Sequence, residues 1–119
     1  MTGFASLDPE ALATLRALDQ DNPGAFSQFV RMFVGEAPEL VRKLEAAVAN
    51  HDETARGQSA HYLRSASLAL GATELAEICH ALEHPGHAIT DAEGAELLGR
   101  LRHSVRDALL ALLSHVRQI

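Results

Sequence analysis

Four helix-start signals, each followed by apolar residues at helical spacing, constrain this chain more than any other feature. Asp8-Pro9 is a cap followed by proline at the first helical position, where its missing N–H is not needed. Asn22-Pro23 repeats the device, Asp52 supplies a third cap, and Thr90-Asp91-Ala92-Glu93 reads as a capping box. Every periodic segment recurs at helical spacing, and no β-branched run alternates for long enough to make a sheet strand. The expected fold is therefore all-α.

The signals predict a short helix near 9–19, then a second bearing Phe26, Phe29, Val30, Phe33 and Val34. Pro38 is expected to kink or restart that helix, since its ring clashes with the preceding turn. Leu40, Val41, Leu44, Ala47 and Val48 then continue the apolar face to about Asn50. A third helix spans roughly 53–70 and stops at Gly71. A fourth runs about 73–84, ending at His84-Pro85-Gly86. The last carries Leu98, Leu101, Val105, Ala108, Leu112 and Val116 on one face. Short connections between long amphipathic helices predict an antiparallel up-down four-helix bundle, with the short additional N-terminal helix as a lid. With 119 residues and no linker or low-complexity tract, 1–119 reads as a single domain able to bury its own core.

Charge and cysteine use narrow the function. The net charge of -6, without a Lys/Arg block, argues against nucleic acid, which demands clustered bases. No apolar run reaches the ~20 residues of a membrane span. Met1-Thr2-Gly3-Phe4 begins neither a basic nor an apolar leader, and Cys79 has no partner for a disulfide, so a cytoplasmic location is expected. Arg100, Arg102, Arg106 and Arg117 read as a solvated face. Ser59, Ser65 and Ser67 lack the acid–base partners of a hydrolase. Cys79 reads as a small core residue. His80, His84 and His87 near Cys79 invite a metal reading, but helix-end histidines meeting the negative end of the dipole explain them more simply.

One residue resists a bland account. On the third helix, Ser59, Leu63, Ala66 and Leu70 make the expected core stripe. His61 lies about 160° from Leu63 on that wheel and so faces solvent. Around it at three and four residues stand Gly57, Gln58, Arg64 and Ser65, with Leu68 on the same face. A surface histidine usually needs no explanation, but a glycine inside a helix costs on the order of 1 kcal/mol against alanine. Small neighbours let another protein approach. A neutral imidazole is a nucleophile, and a cation one turn on can hold phosphoryl oxygens.

The stretch AHYLRSASLALGATELAEICHALE, 24 consecutive positions from Ala60 to Glu83, resembles the histidine-containing phosphotransfer (HPt) domain of two-component phosphorelays. The shared pattern is Ala60-His61-x-Leu63-Arg64, Ser67, Leu70-Gly71-Ala72, Leu75, Cys79 and Leu82-Glu83. FSQFVRMFVGEAPELVRKLEAAVANHD upstream is similar to the family's second helix. The resemblance implies that His61 takes a phosphoryl group on Nε2 from a receiver-domain aspartate and passes it to another receiver. It also implies Glu83, 22 residues later, as the carboxylate that orients the ring, with His80 as a second histidine nearby. Gly57, Gln58 and Leu68 would join Arg64 and Ser65 in docking the partner. This chain departs from the family at Arg64, where lysine is usual, and at Ser65, where glycine is usual.

The implied partners are response-regulator receivers and a sensor histidine kinase, met by a monomer that binds no cofactor itself, the receiver bringing Mg²⁺. The chain holds no Gly-rich nucleotide motif and is not expected to be an autokinase. Two other readings stand beside this one. In the first, the bundle docks a receiver or kinase without cycling phosphate. In the second, it is the dimerisation and phosphoacceptor half of a kinase, against which separate caps for every helix speak.

Overall fold

A computed structural model describes residues 7–84 and 88–117, with side chains described as far as residue 114 at the C-terminal end. Among these residues there are five α-helices and no strand: α1 Pro9–Asp21, α2 Ala25–Ala49, α3 Glu53–Leu70, α4 Thr73–Glu83 and α5 Asp91–Arg117. The all-α expectation is met.

Three of the start signals work as their chemistry predicts. The Asp8 carboxylate accepts from the Glu10 amide at the head of α1, and the Asp52 carboxylate accepts from Ala55 at the head of α3. At α5 the capping box is reciprocal: Thr90 N–H donates to Glu93, and Glu93 N–H donates to the Thr90 hydroxyl oxygen.

The fourth signal is displaced. Asn22, Pro23 and Gly24 form the turn itself, with Gly24 in the left-handed region at φ 89° as the N-cap of α2. The first-turn amide of Phe26 donates instead to the carboxylate of Asp19, from the last turn of α1, at 2.8 Å. A side chain distant in sequence does the work assigned to Asn22.

α2 runs unbroken through Pro38, so the helix does not restart there. Proline removes one backbone hydrogen bond. Buried Ala37, Leu40, Val41 and Leu44 beside it keep both halves of α2 on the core, while Pro38 itself is exposed.

α2 packs against α3 and α5, and α4 packs against the same two helices. Arg102 donates to Glu45 and Gly94 lies against Val48, so α5 begins beside the end of α2. Phe26, Leu44, Leu63, Leu70, Leu75, Ile78, Leu82, Leu101 and Leu112 are fully buried where these helices meet. Each such side chain contributes about 1.5–3 kcal/mol through removal from water. α1 lies across α2 and α3, burying Leu12 and Leu15.

The turn joining α3 to α4 depends on Gly71. Its φ of 76° suits glycine, and a Cβ there would stand 2.7 Å from the Asp8 amide nitrogen. That amide donates to the Gly71 carbonyl. The N-terminal helix is thus fastened where α3 turns back.

The core stripe of α3 is rotated from the expected one. It consists of Arg56, Ala60, Leu63, Ser67 and Leu70, with Ser59 and Ala66 only half-buried. Ser67 fits the core because its hydroxyl donates to the Leu63 carbonyl at 2.7 Å. Arg56 fits because its guanidinium finds carbonyl acceptors at the end of α4.

Candidate functional site

His61 lies mid-way along α3 with its side chain 64% exposed, as the helical wheel requires. Its Nδ1 is 2.7 Å from Oε2 of Glu83, the last residue of α4. The other carboxylate oxygen, Oε1, lies 3.3 Å from a guanidinium nitrogen of Arg64. One carboxylate therefore joins the ring to the cation one turn beyond it.

The electrostatics give this contact a direction. The hydrogen bond from His61 holds the Glu83 carboxyl below the usual carboxylate range, against the opposing effect of its partial burial, and Arg64 helps. An ionised carboxylate only accepts hydrogen bonds, so the proton of the neutral ring sits on Nδ1. The lone pair then belongs to Nε2. Chemically, this is an exposed, oriented nitrogen nucleophile with a carboxylate ready to stabilise positive charge on the ring.

His61 stands between two surface hollows. One runs between α2 and α3 and is lined by Phe29, Met32, Tyr62, Ser65 and Ala69, among others. The second is lined by Glu53, Thr54, Gly57, Gln58, Tyr62 and Glu83. Ser65 and Gln58 thus flank His61 on different sides. Leu68 lies exposed further along α3.

Of the residues expected at the site, His61 and Arg64 are each brought into contact with Glu83, and Gly57, Gln58 and Ser65 border them. His80 is placed otherwise: its exposed ring stacks with that of His84, centroids 6.4 Å apart. Among the described residues no three His, Cys, Asp or Glu side chains converge as a metal site would require, and His87 lies outside those residues. Cys79 is fully buried, and burial pushes its thiol up to about 12, which leaves it a poor nucleophile.

Two features were not anticipated. Tyr62 borders both hollows, and its hydroxyl donates to Glu36 at 3.3 Å. Arg56 is 4% exposed yet charged, and its Nε donates to the Leu82 carbonyl at 3.0 Å. Its spacing from Ala60 and Leu63 places it on the core stripe, a signal obscured by its charge.

The family profile described as Hpt domain matches residues 28–118, most of the chain. The chain belongs to the Hpt domain family. These are histidine phosphotransfer domains of two-component signalling, which interact with receiver domains and kinases. The fold of this Hpt domain is also similar to the crystal structure of histidine-containing phosphotransfer protein B (HptB) from Pseudomonas aeruginosa PAO1. The TM-score is 0.77 at 22% identity, over 95% of this chain and 96% of that one. Among curated proteins no sequence matches this Hpt domain. No helix among its described residues is long and apolar enough to cross a membrane.

Proposed function

We propose that this Hpt domain is the phosphoryl carrier of a multistep phosphorelay and that His61 is the residue that carries the group. The observation behind this reading is the 2.7 Å contact of His61 Nδ1 with Glu83 at an exposed position. The Nε2 lone pair attacks the phosphorus of a receiver's aspartyl phosphate. The bond from phosphorus to the aspartyl oxygen breaks, and its electron pair leaves with the carboxylate. The ring becomes cationic, and Glu83 holds the Nδ1 proton and balances that charge. Donation to a second receiver reverses these steps.

Arg64 compensates the phosphoryl oxygens as they arrive, moving from Glu83 toward the incoming charge. Gly57, Gln58, Ser65 and Leu68 dock the receiver around the ring, and Tyr62 belongs with them because it lines both hollows beside it. The receiver supplies Mg²⁺, so this chain contributes no cofactor. The contacts among α2, α3, α4 and α5 agree with the antiparallel up-down bundle, α1 being the additional helix. A sensor histidine kinase feeds the relay, the carrier acts as a monomer, and the cytoplasm is its setting. His80 has no assigned step.

The test is to mix the purified chain with a receiver charged by acetyl phosphate and follow acid-labile phosphate. Transfer to the wild type and none to His61→Ala supports the carrier. Receiver binding without transfer to either protein would leave the docking module as the function.

A further inference from the structure

Glu83 is the last residue of α4, where a helix holds its side chains least firmly. The final carbonyls of α4 have no partner within the helix, and its C-cap, His84, has φ -48° and ψ 105° rather than the left-handed turn that usually closes a helix. What closes it comes from α3. The buried Arg56 guanidinium donates through Nε to the Leu82 carbonyl at 3.0 Å and through a terminal nitrogen to the His84 carbonyl at 3.5 Å. The two acceptors bracket Glu83 in the chain. Gly57, next to Arg56, lies close to the same helix end, since a Cβ at that position would stand 3.5 Å from the Glu83 carbonyl oxygen.

A buried guanidinium is retained only where its donors find acceptors, and carbonyls at a helix C-terminus carry the negative end of the dipole. A hydrophobic residue at this point of the stripe would fill the same space without fixing α4. Arg56 also precedes His61 by little more than one helical turn on the same rigid helix. The nucleophile and the clamp on its carboxylate partner therefore share one frame.

We propose that Arg56 is a positioning residue: by clamping the end of α4 it fixes Glu83 against His61 Nδ1 and so sets which ring nitrogen is free. This rests on the carrier reading for its consequence in phosphotransfer, but not for its effect on the ring. Without the clamp, the last turn of α4 frays, the Glu83 contact weakens, and the neutral ring populates both tautomers.

The experiment uses the full chain with Arg56→Met and Arg56→Lys, each alone and combined with Glu83→Ala. Side-chain ¹⁵N shifts of His61, recorded where the ring is neutral, report the tautomer without any phosphate present. Arg56→Met is expected to lower the Nδ1–H population and to slow phosphorylation by a charged receiver several-fold. Arg56→Met should lower the melting temperature equally with and without Glu83, but in the Glu83→Ala background it should slow phosphorylation no further. Arg56→Lys should fall between Met and wild type, and it carries the same tests if Arg56→Met does not fold. A wild-type tautomer signature in a folded Arg56 variant would overturn the proposal. So would an equal slowing with Glu83 absent. Failure of the carrier reading would show separately, as phosphorylation that survives in His61→Ala or is missing from the wild type.

Discussion

Glu83 and His61 meet across two helices, carboxylate Oε2 to ring Nδ1 at 2.7 Å, although 22 residues separate them in the chain. α3 turns at Gly71 into α4, and the length of α4 returns its last residue to the level of His61. The site is thus built by a helical hairpin, and its strength follows from how firmly that hairpin closes.

The contact has a pH signature. The folded-state pKa of Glu83 is lowered, first by the hydrogen bond from His61. A lowered carboxyl pKa contributes stability that is fully present above the unfolded value, about 4.3 for Glu, and is lost as pH falls through the folded value. Glu83→Gln should therefore reduce the melting temperature at neutral pH, and the difference from wild type should vanish in acid. An identical difference at both extremes, measured by thermal melts across pH, would show that the carboxylate's charge is irrelevant.

Leu63 separates packing from chemistry on the same helix. It is fully buried, facing away from His61. Leu63→Ala is expected to cost about 2–5 kcal/mol in denaturant unfolding. A loss below about half a kcal/mol, smaller than a core truncation produces, would contradict the assigned core face.

Much of this was legible before the structure, and the exceptions share a cause. Helical periodicity and local capping depend on residues close in sequence, so Asp8, Asp52 and the Thr90–Glu93 box could be read directly. The cap of α2 could not, because its acceptor is Asp19 on the preceding helix. Pro38 does not end α2 for a similar reason: the local penalty is real, but burial on both sides outweighs it. His61 and Arg64 stood out by spacing on one face, while Glu83 entered only through family resemblance. Arg56 went unread because charge ordinarily marks a solvated position. Its role as a partner for α4 carbonyls exists only once α3 and α4 are side by side. Gly57, read as an opening for a partner, also faces the Glu83 carbonyl within its own fold.

Arg64 is 35% exposed and tied to Glu83 by a 3.3 Å contact, so it can leave without a large change in burial. Arg64→Lys is expected to slow transfer mildly and Arg64→Glu strongly, since the latter places a second carboxylate beside the arriving phosphate. Equal single-turnover rates for the two variants with one receiver would remove Arg64 from the reaction.

Cys79 should be inert in the native protein. Its thiol is fully buried and pushed up to about 12, chiefly by desolvation. Alkylation by iodoacetamide is expected to be negligible until the chain is unfolded in denaturant. Rapid labelling under native conditions would show that α4 opens readily, which would also weaken the case for a firmly held Glu83.

Ser65 is exposed one turn beyond His61, where the family usually has glycine. Ser65→Gly should preserve or raise the transfer rate and widen the range of accepted receivers, at a helix cost of roughly half a kcal/mol. Ser65→Gln should block docking while the circular dichroism spectrum stays unchanged. Transfer to Ser65→Gln at the wild-type rate would mean that receivers approach from another side.

The central claim is that one identified nitrogen carries the phosphoryl group, and ³¹P NMR with ¹⁵N-labelled histidine reads that atom directly. After reaction with a charged receiver, the account predicts a single phosphoramidate coupled to Nε2 of His61, lost again when a second, uncharged receiver is added. A phosphoramidate on Nδ1, on another histidine, or none at all despite receiver binding would contradict it.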